Sequence, residues 1–163
     1  MTEANLIEVV TMRARTLLTA AISILLATAP ATASEFGSAE EAKALMLKGV
    51  EHANKVGLET AYKDFSDTKG AFVDRDLYIF CMEGDGMMRA HGAQNGLIGR
   101  NLKNLKDTEG KEFILEALQI AATSGEGWVD YKWSNPVNKK IEAKSSFIKK
   151  VGTGFCAVGF YKK

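Results

Sequence analysis

Cysteine and histidine are each present only twice in the 163-residue chain. That scarcity excludes a disulfide framework and any multihaem array, and leaves little room for a metal site built from those ligands. No Cys-x-x-Cys-His sequence occurs, so covalent c-type haem attachment is excluded as a motif. An excess of either charge is also missing, with 21 Lys and Arg against 20 Asp and Glu. A nucleic-acid partner would call for a basic patch, and a disordered acidic tail for a strongly negative balance; neither is implied. No Gly-x-Ser-x-Gly elbow, His-Glu-x-x-His pair or phosphate loop is present, so nothing points to an enzyme. Asp85 and Asp107 read as turn and cap residues before they read as acids. The length suits one domain.

Long apolar runs are scarce too. The longest spans Leu17 to Ala29, preceded by Arg13 and Arg15 and followed by Pro30 and Ala31-Thr32-Ala33. A positive stretch, a short apolar core and a small-x-small site make a secretory signal. The run is shorter than the ~20 residues that a membrane span needs. We therefore expect a signal peptide over residues 1–33, with Met12 as an alternative start, and a domain over residues 34–163. A tethered N-terminal anchor is the competing reading. No Cys follows the expected cut to accept a lipid. The mature chain should be periplasmic or secreted, and large enough to fold without disulfides.

What is there is a pattern of helices and then strands. Ser38-Ala39-Glu40-Glu41 reads as a capping box. Behind it, Ala42, Leu45, Met46, Gly49, Val50, Ala53 and Val56 recur at helical spacing up to Gly57. A shorter helix fits Leu58 to Phe65, and a turn fits Asp67 to Gly70. Leu77 to Met82 is apolar on both faces, as in a central strand. Glu83-Gly84-Asp85-Gly86 turns the chain into a second strand, Met87 to His91. Gly92 to Asn101 is irregular. Asp107 or Thr108 is expected to cap a third helix that buries Phe113, Ile114, Ala117, Leu118 and Ala121. Three strands come after it at 128–133, 141–151 and 155–161, with links short enough for an antiparallel meander.

Several segments together resemble a known family. Phe72-Val73-Asp74-Arg75-Asp76-Leu77-Tyr78-Ile79-Phe80 with Gly84-Asp85-Gly86 resembles the first hairpin of single Cache domains (Cache type 2). Ala90-His91-Gly92, Leu97-Ile98-Gly99-Arg100-Asn101 and Asp107-x-x-Gly110-Lys111-x-Phe113 resemble the stretch that leads from that hairpin into the next helix of the family. Gly125-x-Gly127-Trp128-Val129-x-Tyr131-x-Trp133-x-Asn135-Pro136, then Lys144, Phe147 and Gly159-Phe160-Tyr161, complete the set. The resemblance implies an α+β, PAS-like or profilin-like fold: a five-stranded antiparallel sheet with a long N-terminal helix. It also implies an extracytoplasmic sensor, often one for small organic acids. Because no membrane helix or kinase region comes after Tyr161, the resemblance is to a free-standing, exported form.

A small carboxylate needs a cation or several N–H donors, and walls that exclude water. Tyr131 and Trp133 share a face of one strand, and Lys144 lies in the facing stretch of the next. Tyr78 is on the first central strand, and His91, Arg100 and Asn101 come from the second strand and the loop after it. These seven are the expected ligand-binding residues. Each has a plainer reading. Tyr78, Tyr131 and Trp133 could be core aromatics, and Lys144 a solvated strand residue. His91 and Asn101 could hold turns, and Arg100 could be exposed. Cys81 and Cys156 fall on neighbouring strands, and an exported setting permits a disulfide; the demanding geometry favours two separate buried thiols. His52 reads as a helix-surface residue.

We therefore expect an exported module that binds a C2–C4 carboxylate, with no cofactor and no metal, acting with a separate membrane chemoreceptor or sensor kinase. The first helix could pair two copies into a homodimer. The alternatives are a periplasmic protein-interaction domain without a small ligand, or a protein holding haem or metal noncovalently, with His91 as the haem ligand.

Overall fold

The computed structural model describes residues 34–163. The expected signal segment, its Met12 start and the cut after Ala33 lie outside the described residues. Among the described residues, no helix is long and apolar enough to cross a membrane.

Helix α1 spans Ala39–Val56 and opens on the capping box read from the sequence. The Ser38 hydroxyl accepts from the Glu41 N–H at 3.2 Å, and the Glu41 carboxylate accepts from the Ser38 N–H at 2.8 Å. Ala42, Met46, Gly49 and Ala53 form its buried stripe. Val56, expected on that stripe, is exposed. Helix α2, Leu58–Phe65, comes at once after it. His52 is more than a surface residue: its Nε2 lies 2.6 Å from the Asp64 carboxylate, and its ring packs on Phe65 and Phe72, pinning α1 to α2.

The sheet is antiparallel and has six strands, not five. The additional one is β1, Val73–Asp74, only two residues long. Then come β2 (Leu77–Met82), β3 (Met88–His91), helix α3 (Phe113–Thr123), β4 (Glu126–Ser134), β5 (Ile141–Val151) and β6 (Gly154–Tyr161). The spatial order is β1-β2-β6-β5-β4, with β3 also paired to β2. β2 is therefore interior, which is why every one of its residues is buried. A single 3-10 turn, Asn95–Leu97, lies in the loop between β3 and α3.

Two departures from the sequence expectations have physical causes. Helix α3 begins at Phe113, later than a cap at Asp107 or Thr108 would put it. Asp107 does accept N–H bonds, but from Glu109 and Lys111 in a turn and from Lys132 on β4, all at 2.8–2.9 Å. It staples the covering loop to the sheet. Second, Cys81 and Cys156 are joined in a disulfide and are not separate thiols. The β2–β6 register sets them directly opposite each other.

The sheet divides the interior into two layers. Leu77, Ile79, Cys81, Phe147, Cys156 and Val158 face α1 and α2. Tyr78, Phe80, Met82, Val129, Tyr131, Ile148, Phe155 and Ala157 face α3 and the loop before it. That second layer holds the polar side chains that the sequence singled out.

Candidate functional site

Strand alternation decides which side chains meet, because residues i and i+2 share a face. On the α3 side, β2 presents Tyr78 and Phe80, β4 presents Tyr131 and Trp133, and β3 adds His91. Together with Phe113 of α3 they wall a cavity, which Leu102 and Leu105 of the covering loop close. The space inside is ≈ 10 Å³, about what one water needs. Phe113 and Tyr131 stack at 4.2 Å, and Trp133 meets both rings edge-on.

Lys144 stands one hydrogen bond behind this wall. It is fully buried. Register places it opposite Tyr131 on one side and Tyr161 on the other. Its stem leans across β6 at Gly159, where a Cβ would fall 2.2 Å from Lys144 Cε. Only glycine leaves that path open. The ammonium then reaches β2, donating to the Tyr78 hydroxyl at 2.7 Å and lying 3.9 Å from that ring's centre. Among the described residues it makes no direct ion pair. Burial pulls its pKa from 10.5 down to about 7, with the charge of Asp76 working the other way.

The remaining polar groups are held in place. Tyr131 Oη and Ser146 Oγ are 2.9 Å apart, and the Tyr161 hydroxyl donates to the Ser134 carbonyl at 2.7 Å. Burial raises all three phenols, so they stay neutral. His91 Nδ1 accepts from the Ala93 and Gln94 N–H groups at 3.2 and 2.9 Å. The ring proton must then sit on Nε2, which makes no hydrogen bond among the described residues. Burial first, and the Lys144 charge second, hold the imidazole pKa down to about 3. His91 is a neutral N–H donor on the cavity wall.

The structure thus brings together five of the seven expected residues: Tyr78, His91, Tyr131, Trp133 and Lys144. Arg100 and Asn101 stand apart. Both are exposed and neither lines the cavity. Asn101 holds its own loop, donating to the Asp85 carbonyl and accepting from the Lys103 N–H. Gly99 takes φ +80° just before Arg100, and the Gly99 N–H and the Arg100 carbonyl are bonded to the Met88 backbone. Three residues of the cluster were not among the site residues expected from the sequence: Asp76, Ser146 and Tyr161. The signal for Asp76 was present, since it stands two residues before Tyr78. A larger open cleft beside Tyr62 and Ile98 is less suited to an anion, because its Arg89 is already paired with Glu59 and Glu83. Among the described residues, no cluster of three or more His, Cys, Asp or Glu side chains could hold a metal ion.

A sequence model described as Cache domain matches residues 50–159. The sensor histidine kinase MctS of Rhizobium johnstonii is 34% identical over 74 residues, which are 45% of this chain and 16% of that kinase. Among solved structures, a methyl-accepting chemotaxis protein from Vibrio parahaemolyticus superposes with a TM-score of 0.64 at 22% identity, over 75% of this chain and 86% of that one. The periplasmic sensor domain of a chemotaxis protein gives 0.60 at 21% identity, covering 76% and 90% of the two chains. A Cache chemosensory domain described for its carboxylic acid recognition gives 0.58 at 21% identity, covering 76% and 88%.

Proposed function

The chain belongs to the Cache domain family, and we propose that this extracytoplasmic sensing module captures a small organic acid of two to four carbons and acts with a separate membrane chemoreceptor or sensor kinase. The observation that carries the ligand class is Lys144: a buried ammonium whose one hydrogen bond goes to the neutral Tyr78 hydroxyl on the wall of an aromatic cavity. A cation kept dry without a direct partner is costly. An incoming carboxylate offsets that cost.

The geometry supplies the rest of the recognition. With Lys144 donating to its oxygen, the Tyr78 hydroxyl can pass its own proton toward a ligand. His91 Nε2–H is a second donor. A carboxylate placed between them meets two neutral donors with the Lys144 charge behind, while Phe113, Tyr131 and Trp133 pack on its carbon chain. Arg100 and Asn101 have no part in this site. Since the cavity admits about one water, this reading has the loop carrying Leu102 and Leu105 swing outward to admit an acid. That motion would give a partner protein something to sense.

Affinity has a ceiling. The best small ligands gain about 1.5 kcal/mol per heavy atom, so acetate with its four is limited to roughly 6 kcal/mol, a Kd of about 40 µM. The similarity between this fold and that of a domain described for carboxylic acid recognition supports the same ligand class. The test is a thermal-shift screen with acetate, propionate, pyruvate, lactate and succinate at millimolar concentration, with calorimetry on any hit. Binding at 100 times Kd adds about 2.7 kcal/mol of stability, readily seen as a shift. Lys144→Ala and Tyr131→Ala should each weaken binding at least about tenfold, or ~1.4 kcal/mol. Unchanged affinity in both folded variants would remove this site. No shift with any acid would favour a protein-interaction domain.

A further inference from the structure

We infer that Asp76 is the positioning residue of this site: it is the buried counter-charge that keeps Lys144 a cation where Lys144 lies over Tyr78. The inference rests on the reading of Lys144 as the charge an acid meets, and it adds a residue that touches no ligand itself.

Three observations carry it. First, Asp76 and Lys144 are the only buried Asp, Glu, Lys or Arg side chains among the described residues. Second, they lie near each other. Asp76 sits in the turn just before β2, and its charge is felt at Lys144, at Tyr78 and at Tyr161, which is itself paired with Lys144. The lysine leans over Gly159 toward β2, so its ammonium ends on Tyr78, two residues along the chain from Asp76. Third, the carboxylate is half satisfied. Its Oδ1 accepts from the Gly37 N–H at 2.7 Å, and its Oδ2 has no hydrogen-bond partner. A buried carboxylate oxygen without a donor is expensive unless a nearby cation compensates it.

The neighbouring Arg75 does not play that part. Its guanidinium binds Asp74, Glu41 and the Ser34 and Phe36 carbonyls. Those contacts clamp the segment that carries Gly37, and so hold Asp76 Oδ1 in place. The titratable groups that face Lys144 are Asp76 from the turn before β2, Tyr78 from β2, His91 from β3, Tyr131 from β4 and Tyr161 from β6. The three phenols and the imidazole are neutral, which leaves Asp76 as the one carboxyl group in the set.

The experiment needs no ligand. Protein labelled at lysine side chains is titrated by NMR, and the Lys144 Cε and Nζ signals are tracked in the wild-type chain and in Asp76→Asn. Loss of the counter-charge should move the Lys144 midpoint down by about one pH unit or more, tenfold in proton affinity. A merely structural role for Asp76 would leave it in place, and an unmoved midpoint overturns the inference. Should Asp76→Asn fail to fold, the double variant Asp76→Asn/Lys144→Met decides. A counter-charge predicts that removing both charges restores folding, because the uncompensated lysine is gone. Equal failure of single and double variants overturns it. An acid screen that finds nothing removes the binding reading and leaves this titration untouched.

Discussion

Replacing Lys144 with methionine removes the cost of burying its charge but leaves Asp76 without its cation, so the net change in stability depends on pH in a calculable way. In the unfolded chain a lysine holds its proton up to about 10.5, whereas in the fold burial brings the midpoint to about 7. Between those values the unfolded state binds more protons than the folded one, so the free energy of unfolding rises with pH. Below pH 7 the lysine is charged in both states and its burial cost is felt in full. The gap between 10.5 and about 7 corresponds to roughly 5 kcal/mol at ~1.4 kcal/mol per pH unit. Methionine keeps most of the volume and has no proton to lose.

The assay is urea unfolding of both proteins at matched pH from 6 to 9, without reductant. Above about pH 9.5 the tyrosines begin to ionise in the unfolded chain and would confuse the comparison. The stability of Lys144→Met relative to the wild type should be greatest and flat at pH 6 to 7. It should then shrink by ~1.4 kcal/mol for each pH unit above 7. Subtracting the two curves cancels the titrating groups that do not feel the Lys144 charge. A difference that does not vary with pH would refute the reasoning, because a lysine that stays charged throughout has found compensation which burial, Tyr78 and Asp76 do not supply.

The same interior yields two further outcomes. His91 is neutral in the fold, with its pKa held to about 3 against an ordinary 6.5. Its contribution is complete above pH 6.5 and is lost as pH falls toward 3, by up to about 5 kcal/mol; acid unfolding monitored by circular dichroism should be shallower in His91→Gln than in the wild type. The Cys81–Cys156 disulfide closes a loop of sequence separation 75. The double variant Cys81→Ala/Cys156→Ala should lose about 4 kcal/mol in urea unfolding, and a loss under ~1 kcal/mol would mean that the bond does little to restrain the unfolded chain.

Much of this was legible because period-two alternation is a strong signal. Val129, Tyr131 and Trp133 alternate against polar neighbours, and they do share the buried face. The α1 cap was readable from Ser38 and Glu41 because a capping box is local. What was not readable depended on register or on loop path. Placing Cys81 and Cys156 on neighbouring strands leaves several offsets open; a shift of one residue would have pointed the two thiols to opposite faces. Arg100 and Asn101 have the right chemistry for a carboxylate, but both are exposed in a loop whose backbone is bonded to Met87 and Met88. Asp107 has the residue type of a helix cap, yet its oxygens are taken by a turn and by Lys132 of β4, a long-range contact with no local trace.

Lys144, Gly159 and Asp76 are each a poor choice for stability where they stand. A buried lysine costs several kcal/mol, a strand glycine gives up side-chain packing, and an aspartate oxygen without a donor wastes a hydrogen bond. Apolar residues of similar size in place of the charged pair would pack the same layer with less penalty. These three departures fall in one place: glycine opens the path, lysine takes it, and aspartate holds the charge at its end. Natural sequences break local rules where function requires it. The aromatic wall of Phe113, Tyr131 and Trp133 alone would make an ordinary core. Under the proposed function, the buried charge behind Tyr78 is what would let that core receive an anion.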